Sequence, residues 1–330
     1  MKTPQLRIVT TPYCNLKCIF CRPGGEGYYQ NPNFTLSGEQ IIKIVNAAAN
    51  VGFTHIKFTG GEPLLRDDIF FLIQESRKID KIKEIQLVTN GQLLSGKAQN
   101  IKKYGVDLLT ISLDALNENK YKAVRGVSNR RVIDAIKECF EISMPVRINM
   151  VVTKDTINEI PAMIEFCTKY KMNLKLLDLI FLQEGSSIKK WEFQYQNFDA
   201  VRDILISMGY VQTGKEEAAG GIGSPLQVFS MKSSCNVLLK DSTQGTFYNK
   251  KCEDCNYYPC QDAVISVRIT HDGHIKRCLF NNENLVNLNE CLINNDILGL
   301  EKVLKETFDL MINSKYYQHK WYPELIERRT

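Results

Sequence analysis

Three cysteines, Cys14, Cys18 and Cys21, fall within eight residues, and an aromatic, Phe20, stands immediately before the last. Four Cys thiolates ordinarily hold a [4Fe–4S] cluster, so a compact loop supplying three leaves one iron open to a non-protein ligand. Close thiols also serve zinc sites and, in secreted chains, disulfide frameworks. The chain carries four His, none near this loop, which leaves zinc without an evident fourth ligand. The opening Met1-Lys2-Thr3-Pro4-Gln5 is no apolar leader, and no apolar run approaches membrane-spanning length, so a cytoplasmic, reducing setting is expected. In that setting eleven cysteines point to metal rather than to disulfides.

A second group, Cys252, Cys255, Cys260 and Cys278, is spaced C-x2-C-x4-C-x17-C and is a strong metal signal. Between its members, Val264–Thr270, a turn at Asp272-Gly273 and His274–Phe280 predict a β-hairpin that returns Cys278 beside the first pair. A zinc ribbon is the competing reading. The expectation is that Cys260 joins the other three, giving a second [4Fe–4S] cluster with no open iron; with Cys260 free, one iron stays open to a ligand. Cys139 and Cys167 sit at helical core spacing, and Cys235 and Cys291 have no assigned role.

The elements that must position these residues follow a strand-then-helix rhythm from Leu6 to about Phe181. Strands are expected at Leu6–Thr11, His55–Thr59, Glu84–Asn90, Leu108–Asp114, Val146–Val152 and Leu174–Ile180. The first helix opens with a capping box, Ser37 with Gln40, continues through Ile41, Ile44, Val45 and Ala48, and stops near Gly52. Such units imply parallel strands joined by right-handed crossovers, hence an α/β fold: a partial (β/α)6 TIM-like barrel over 1–195, with a smaller α+β auxiliary-cluster region over 196–330. A chain of 330 residues, 44% hydrophobic and 24% charged, can fill both. The Gly220-Gly221-Ile222-Gly223 stretch reads as a flexible loop and only weakly as a phosphate cradle.

Alternation separates two faces. Ile56, Phe58, Ile85, Leu87, Leu109, Ile111, Val146 and Ile148 share the parity that suits packed helices. The opposite parity holds Lys57, Thr59, Gln86, Asn90, Thr110, Ser112, Asp114, Arg147, Asn149 and Lys175. Sealed barrel interiors are filled with branched apolar side chains, so a polar lumen implies a wet cavity. Its cations, Arg7, Lys57, Arg147 and Lys175, select an anion. The net charge of +5 is spread along the chain without a long basic run, which excludes nucleic acid as the expected partner and leaves a small anion.

The spacing C-x3-C-x2-C with Gly60-Gly61-Glu62-Pro63 resembles the radical SAM superfamily. More narrowly, Leu6-Arg7-Ile8, Thr59–Arg66, Thr89-Asn90-Gly91, Ser112-Leu113-Asp114, Val146–Asn149 and Cys278-Leu279-Phe280 resemble the molybdenum cofactor biosynthesis enzyme A family, the GTP 3′,8-cyclases. The resemblance implies S-adenosylmethionine chelated to the open iron of the first cluster and cleaved to a 5′-deoxyadenosyl radical that abstracts hydrogen from the substrate. It implies a second cluster in the C-terminal region and an electron donor of flavodoxin or ferredoxin type. By position, Phe20, Gly60, Gly61, Glu62, Pro63, Asn90, Ser112 and Asn149 form the cofactor site, and Arg7, Lys57, Arg147, Lys175 and Arg268 hold a nucleotide or another phosphorylated substrate.

The departures are Val88 where the family has a substrate-contacting threonine, an insertion after Asn256, and an end at Ile326-Glu327-Arg328-Arg329-Thr330 in place of a Gly-Gly tail. They imply a changed substrate. A peptide-modifying radical enzyme and a non-catalytic iron–sulfur or zinc protein are the alternatives. Catalytic acids and bases are unassigned, Asp114 and Asp178 lying near strand ends without an evident role.

Overall fold

The computed structural model describes residues 4–21, 34–180, 187–216, 225–255, 258, 260, 266–278 and 285–317. Six strands appear within a residue or a few of their expected bounds: β1 Gln5–Val9, β2 His55–Thr59, β3 Glu84–Thr89, β4 Leu108–Ser112, β5 Val146–Val151 and β6 Asn173–Leu177. They pair in chain order, all parallel. Between them run α1 Gly38–Val51, α2 Ile69–Arg77, α3 Ala98–Tyr104, α4 Glu118–Arg125, α5 Arg130–Glu141 and α6 Ile160–Lys169. In α1 both capping-box bonds form, and Gly52 closes the helix in the left-handed region at φ 116°.

The sheet does not stop at the six strands expected. On one side, β7 Val211–Glu216, β8 Leu226–Ser230 and β9 Val237–Lys240 follow α7 Ser187–Gln194 and α8 Phe198–Ser207, and β9 pairs parallel with β6. On the other, β11 Val267–Ile269 pairs parallel with β1 and carries β12 His274–Lys276 and β13 Val286–Asn287. One twelve-stranded sheet results, in the order β13-β12-β11-β1-β2-β3-β4-β5-β6-β9-β8-β7, so the parts expected on either side of residue 195 share a sheet. β10 Thr246–Tyr248 precedes the short α9 Lys250–Glu253 and pairs with β14 Lys315–Tyr317. After β13 come α10 Asn289–Ile293 and α11 Ile297–Ile312, which packs on α1 with Phe308 edge-on to Phe53.

The two faces separate as the alternation predicts. Ile56, Phe58, Ile85, Leu87, Leu109, Ile111, Val146 and Ile148 belong to one buried core with the inner sides of the helices, and Cys139 and Cys167 are part of it. The β11–β12 hairpin forms about Gly273, φ 84°, within the expected span. The glycine loop at 220–223, residues Leu279 and Phe280, Asn256 and the C-terminal residues 326–330 lie outside the described residues. No helix among the described residues is long and apolar enough to cross a membrane.

Candidate active site

The Gly60-Gly61-Glu62-Pro63 turn is built by continuing the β1–β2 ladder past the strand ends. Thr10 N donates to Thr59 O, Gly61 N to Thr11 O and Glu62 N to Tyr13 O, each at 2.8 Å. The first residues of the cysteine loop therefore lie directly on the turn. A Cβ on Gly61 would stand 2.1 Å from the Tyr13 carbonyl oxygen, so only glycine fits. Glu62 is wholly buried; its Oε1 accepts from Thr89 Oγ1 at 2.7 Å and Leu64 N at 3.1 Å, and its Oε2 from Asn90 N at 2.7 Å. Burial pushes its carboxyl up from the usual range, and those three donors pull it part of the way back. The side chain thus ties the turn after β2 to the end of β3. Pro63 opens the short turn that follows.

Cys14, Cys18 and Cys21 border one cavity of about 310 Å³ together with Phe20, Gly60, Gly61, Glu62, Asn90 and Ser112. Pro63 and Asn149 do not border it, although Asn149 sits in register beside Ser112. Val88, the residue marked as a departure, does. Hydrogen-bond donors face the sulfurs: Leu16 N at 3.4 Å and Asn90 Nδ2 at 3.7 Å from Cys14 Sγ, and Arg125 Nη1 at 3.5 Å from Cys18 Sγ. Arg125, at the end of α4, is paired through Nε with the buried Asp114 at 2.5 Å and lies 5.3 Å over the Phe20 ring. Burial pushes the Cys18 thiol up while Arg125 opposes that shift. Three thiols from one loop, with N–H groups aimed at their sulfurs, fit the requirements of a cluster thiolate.

Deeper in the barrel lies the cationic face. Lys276, Arg268, Arg7 and Lys57 stand side by side in consecutive register across β12, β11, β1 and β2. Arg268 and Lys276 are each 1% exposed. Lys175 is half-buried, and its pKa is driven well below the ordinary lysine value, first by desolvation and then by the charges of Arg147, Lys57, Lys240 and Arg7. All five expected substrate cations therefore lie on one face of the sheet. Sequence reasoning missed Lys276, Lys240 and Arg125. Arg268 came from the family resemblance alone, and Lys276, its register partner across the expected hairpin, was open to the same two-residue alternation; Lys240 and Arg125 depend on tertiary contacts.

In the second group, Cys252 lies near Cys278 and Cys255, whose charges add to the burial that pushes its thiol up, against an opposing bond at Asn249. Cys255 N donates to Cys252 O at 3.1 Å. Tyr248 Oη donates to the Cys260 carbonyl at 2.8 Å, holding that segment on β10. Among the described residues, no three Cys, His, Asp or Glu side chains converge into a single-ion site.

The family model described as the radical SAM superfamily matches residues 8–167. The chain is 31% identical over 327 residues to the GTP 3′,8-cyclase of Clostridium acetobutylicum, covering 98% of this chain and 93% of that one. To a probable GTP 3′,8-cyclase of Methanococcus maripaludis it is 32% identical over 295 residues, covering 86% and 87%. Among solved structures, Streptococcus suis SuiB bound to S-adenosylmethionine aligns with a TM-score of 0.59 at 19% identity, over 88% of this chain and 62% of SuiB. The chain thus spans less than two thirds of SuiB. AnSMEcpe with bound AdoMet aligns at 0.57 and 16% identity, over 91% of this chain and 84% of that one. At these identities the two structures speak for the fold.

Proposed function

Because the chain belongs to the radical SAM superfamily, in the branch that contains the GTP 3′,8-cyclases, and is therefore an enzyme of a family that uses a [4Fe–4S] cluster and S-adenosylmethionine, we propose that its substrate is an anionic nucleotide or another phosphorylated small molecule. The observation that carries this reading is the row of Lys276, Arg268, Arg7 and Lys57, with Lys175 and Arg147 nearby, beneath the cavity bordered by the three thiols. Cationic side chains set side by side on one face of a sheet make a positive field that favours an anion of high charge density.

Cys14, Cys18 and Cys21 hold the first cluster. A [4Fe–4S] cluster held there would supply the electron for reductive cleavage of S-adenosylmethionine, and with it radical hydrogen abstraction from the substrate. Gly60 and Gly61 keep the turn flat against the loop, and Phe20 and Ser112 border the cofactor. Glu62 and Asn90 hold turn and loop in place. Arg7, Lys57, Arg147, Lys175 and Arg268 fix the anionic end of the substrate so that its reactive carbon faces the cavity. Cys252, Cys255, Cys260 and Cys278 hold a second cluster, and a flavodoxin or ferredoxin donates the electron. The test is anaerobic reconstitution followed by dithionite, S-adenosylmethionine and GTP, with products read by mass spectrometry. Substrate-stimulated 5′-deoxyadenosine with a converted nucleotide supports the reading. Cleavage that no nucleotide or phosphorylated compound stimulates sinks the substrate class.

A further inference from the structure

We propose that Asp178 and Lys240, at adjoining strand ends of β6 and β9, form a pair that reads the vicinal hydroxyls of a ribose in the cavity beside the three thiols. The two residues are brought together only because β9 docks on β6: Leu177 is in register with Lys240, and Asp178 N donates to Lys240 O at 3.1 Å. Both border the cavity that holds Cys14, Cys18 and Cys21. They stand at the carboxyl ends of parallel strands, where barrels of this kind place their working residues.

Asp178 is 4% exposed. Its Oδ2 accepts from the Ser242 amide at 2.9 Å and from the Ser242 hydroxyl, which fixes the carboxylate plane. Its Oδ1 is buried and has no hydrogen-bond partner among the described residues. An acceptor left in that condition bears its full desolvation penalty until a donor arrives. Lys240 forms no ion pair among the described residues, and the adjacent carboxylate, Asp241, is taken by Arg202. The cavity therefore presents one acceptor and one cation on neighbouring strands.

The signs of the two charges choose the ligand. A phosphate at this point would suit Lys240 and be repelled by Asp178; an amine would do the reverse. A neutral diol satisfies both, one hydroxyl donating to Asp178 Oδ1 and the other accepting from Lys240. Val151, Leu179 and Phe20 give the same cavity an apolar wall against which a base attached to that ribose can lie. Two riboses can reach the cavity, that of S-adenosylmethionine and that of a nucleotide substrate. Only the second source rests on the function proposed above.

The experiment uses anaerobically reconstituted full-length protein as wild type, Asp178→Asn and Lys240→Met. Titration calorimetry compares GTP with 2′-deoxy-GTP and, separately, 5′-deoxyadenosine with 2′,5′-dideoxyadenosine. In at least one comparison wild type should prefer the ribo form by roughly tenfold or more, the scale of one charge-assisted hydrogen bond. Both variants should erase that preference by weakening the ribo form alone. The comparison that responds identifies the ribose. Equal binding of ribo and deoxy forms in both comparisons, or variants that weaken both forms alike, overturns the proposal. Wild type that binds neither GTP nor its deoxy form removes the nucleotide reading and leaves the adenosyl comparison to decide the pair. Should Asp178→Asn not fold, Lys240→Met carries the test, since its side chain is not part of the buried core.

Discussion

Arg125 Nη1 donates to the Sγ of Cys18 at 3.5 Å, and the same guanidinium is anchored through Nε to Asp114 at 2.5 Å. Asp114 is in turn fixed by the amide of Val151 at 2.9 Å. A residue on α4 is thereby pinned from β4 and β5 to a single thiol of the cysteine loop. The loop is held from the same side, Ile19 N donating to Val124 O at 3.0 Å. A cationic hydrogen bond to a ligating thiolate draws charge from the sulfur and favours the reduced cluster.

Replacing Arg125 by Gln should therefore lower the midpoint potential of the first cluster, measured by EPR-monitored redox titration. It should also destabilise the fold by about 3–5 kcal/mol, because Asp114 is left as a buried charge without its partner. The double variant Arg125→Gln/Asp114→Asn should recover most of that stability and none of the potential. An unchanged potential in both variants would falsify the electrostatic role of Arg125 and leave it a structural ion pair.

Gly61→Ala pushes a methyl group into the Tyr13 carbonyl, 2.1 Å away, and backbone cannot give there without moving the loop that carries Cys14. The expected outcome is a loss of S-adenosylmethionine cleavage by more than about tenfold, since reacting groups misplaced by about an ångström forfeit that and more. Iron content should fall with it. Gly214→Ala, where an added Cβ meets nothing within 4 Å, should leave both measurements at the wild-type level.

The parts of this molecule that a reader of the sequence could see are those set by local rules. The capping box at Ser37 and Gln40 and the two-residue alternation from Ile56 to Ile148 need only neighbours in the chain, and both stand as expected. Parity alone put Arg7, Lys57, Arg147 and Lys175 on one face. Arg125 lies in Glu118–Arg125, a helix whose charged sequence reads as solvated, and only the fold turns its last residue under the cysteine loop. Lys240 belongs to Val237-Leu238-Leu239-Lys240, too short to show a period, whose partner strand precedes it by some sixty residues. Non-local pairing of that kind leaves no trace in a short window.

Lys175 should make the free protein less stable and the bound one tighter. Its pKa is lowered by desolvation and by Arg147, Lys57, Lys240 and Arg7, so between its folded value and the ordinary lysine value the unfolded chain binds more protons. Stability then rises with pH across that window, and the penalty is fully present below it. Lys175→Met should melt at a higher temperature than wild type at neutral pH, with the gap closing as the pH approaches the ordinary lysine value. GTP affinity should drop by roughly tenfold or more, the scale of one charge-assisted contact. A gap that stays constant with pH would remove the buried charge as its cause.

The two cysteine groups should load independently, because the first is held by β1, β2 and α4 and the second by the β10 segment and the β11–β12 hairpin. Wild type is expected to carry about eight irons and each of Cys14→Ala and Cys252→Ala about four, counted after anaerobic reconstitution. Cys14→Ala should abolish 5′-deoxyadenosine formation. Cys252→Ala should retain it without converting substrate, since the electron entry site survives while the substrate end is disordered or uncoupled. Cys260→Ser decides the remaining chemistry: as a ligand, it should change the EPR signal of the second cluster and leave that of the first untouched. If both signals stay as in wild type, Cys260 is free, the second cluster has an open iron, and a direct contact of that iron to the substrate becomes the role to test.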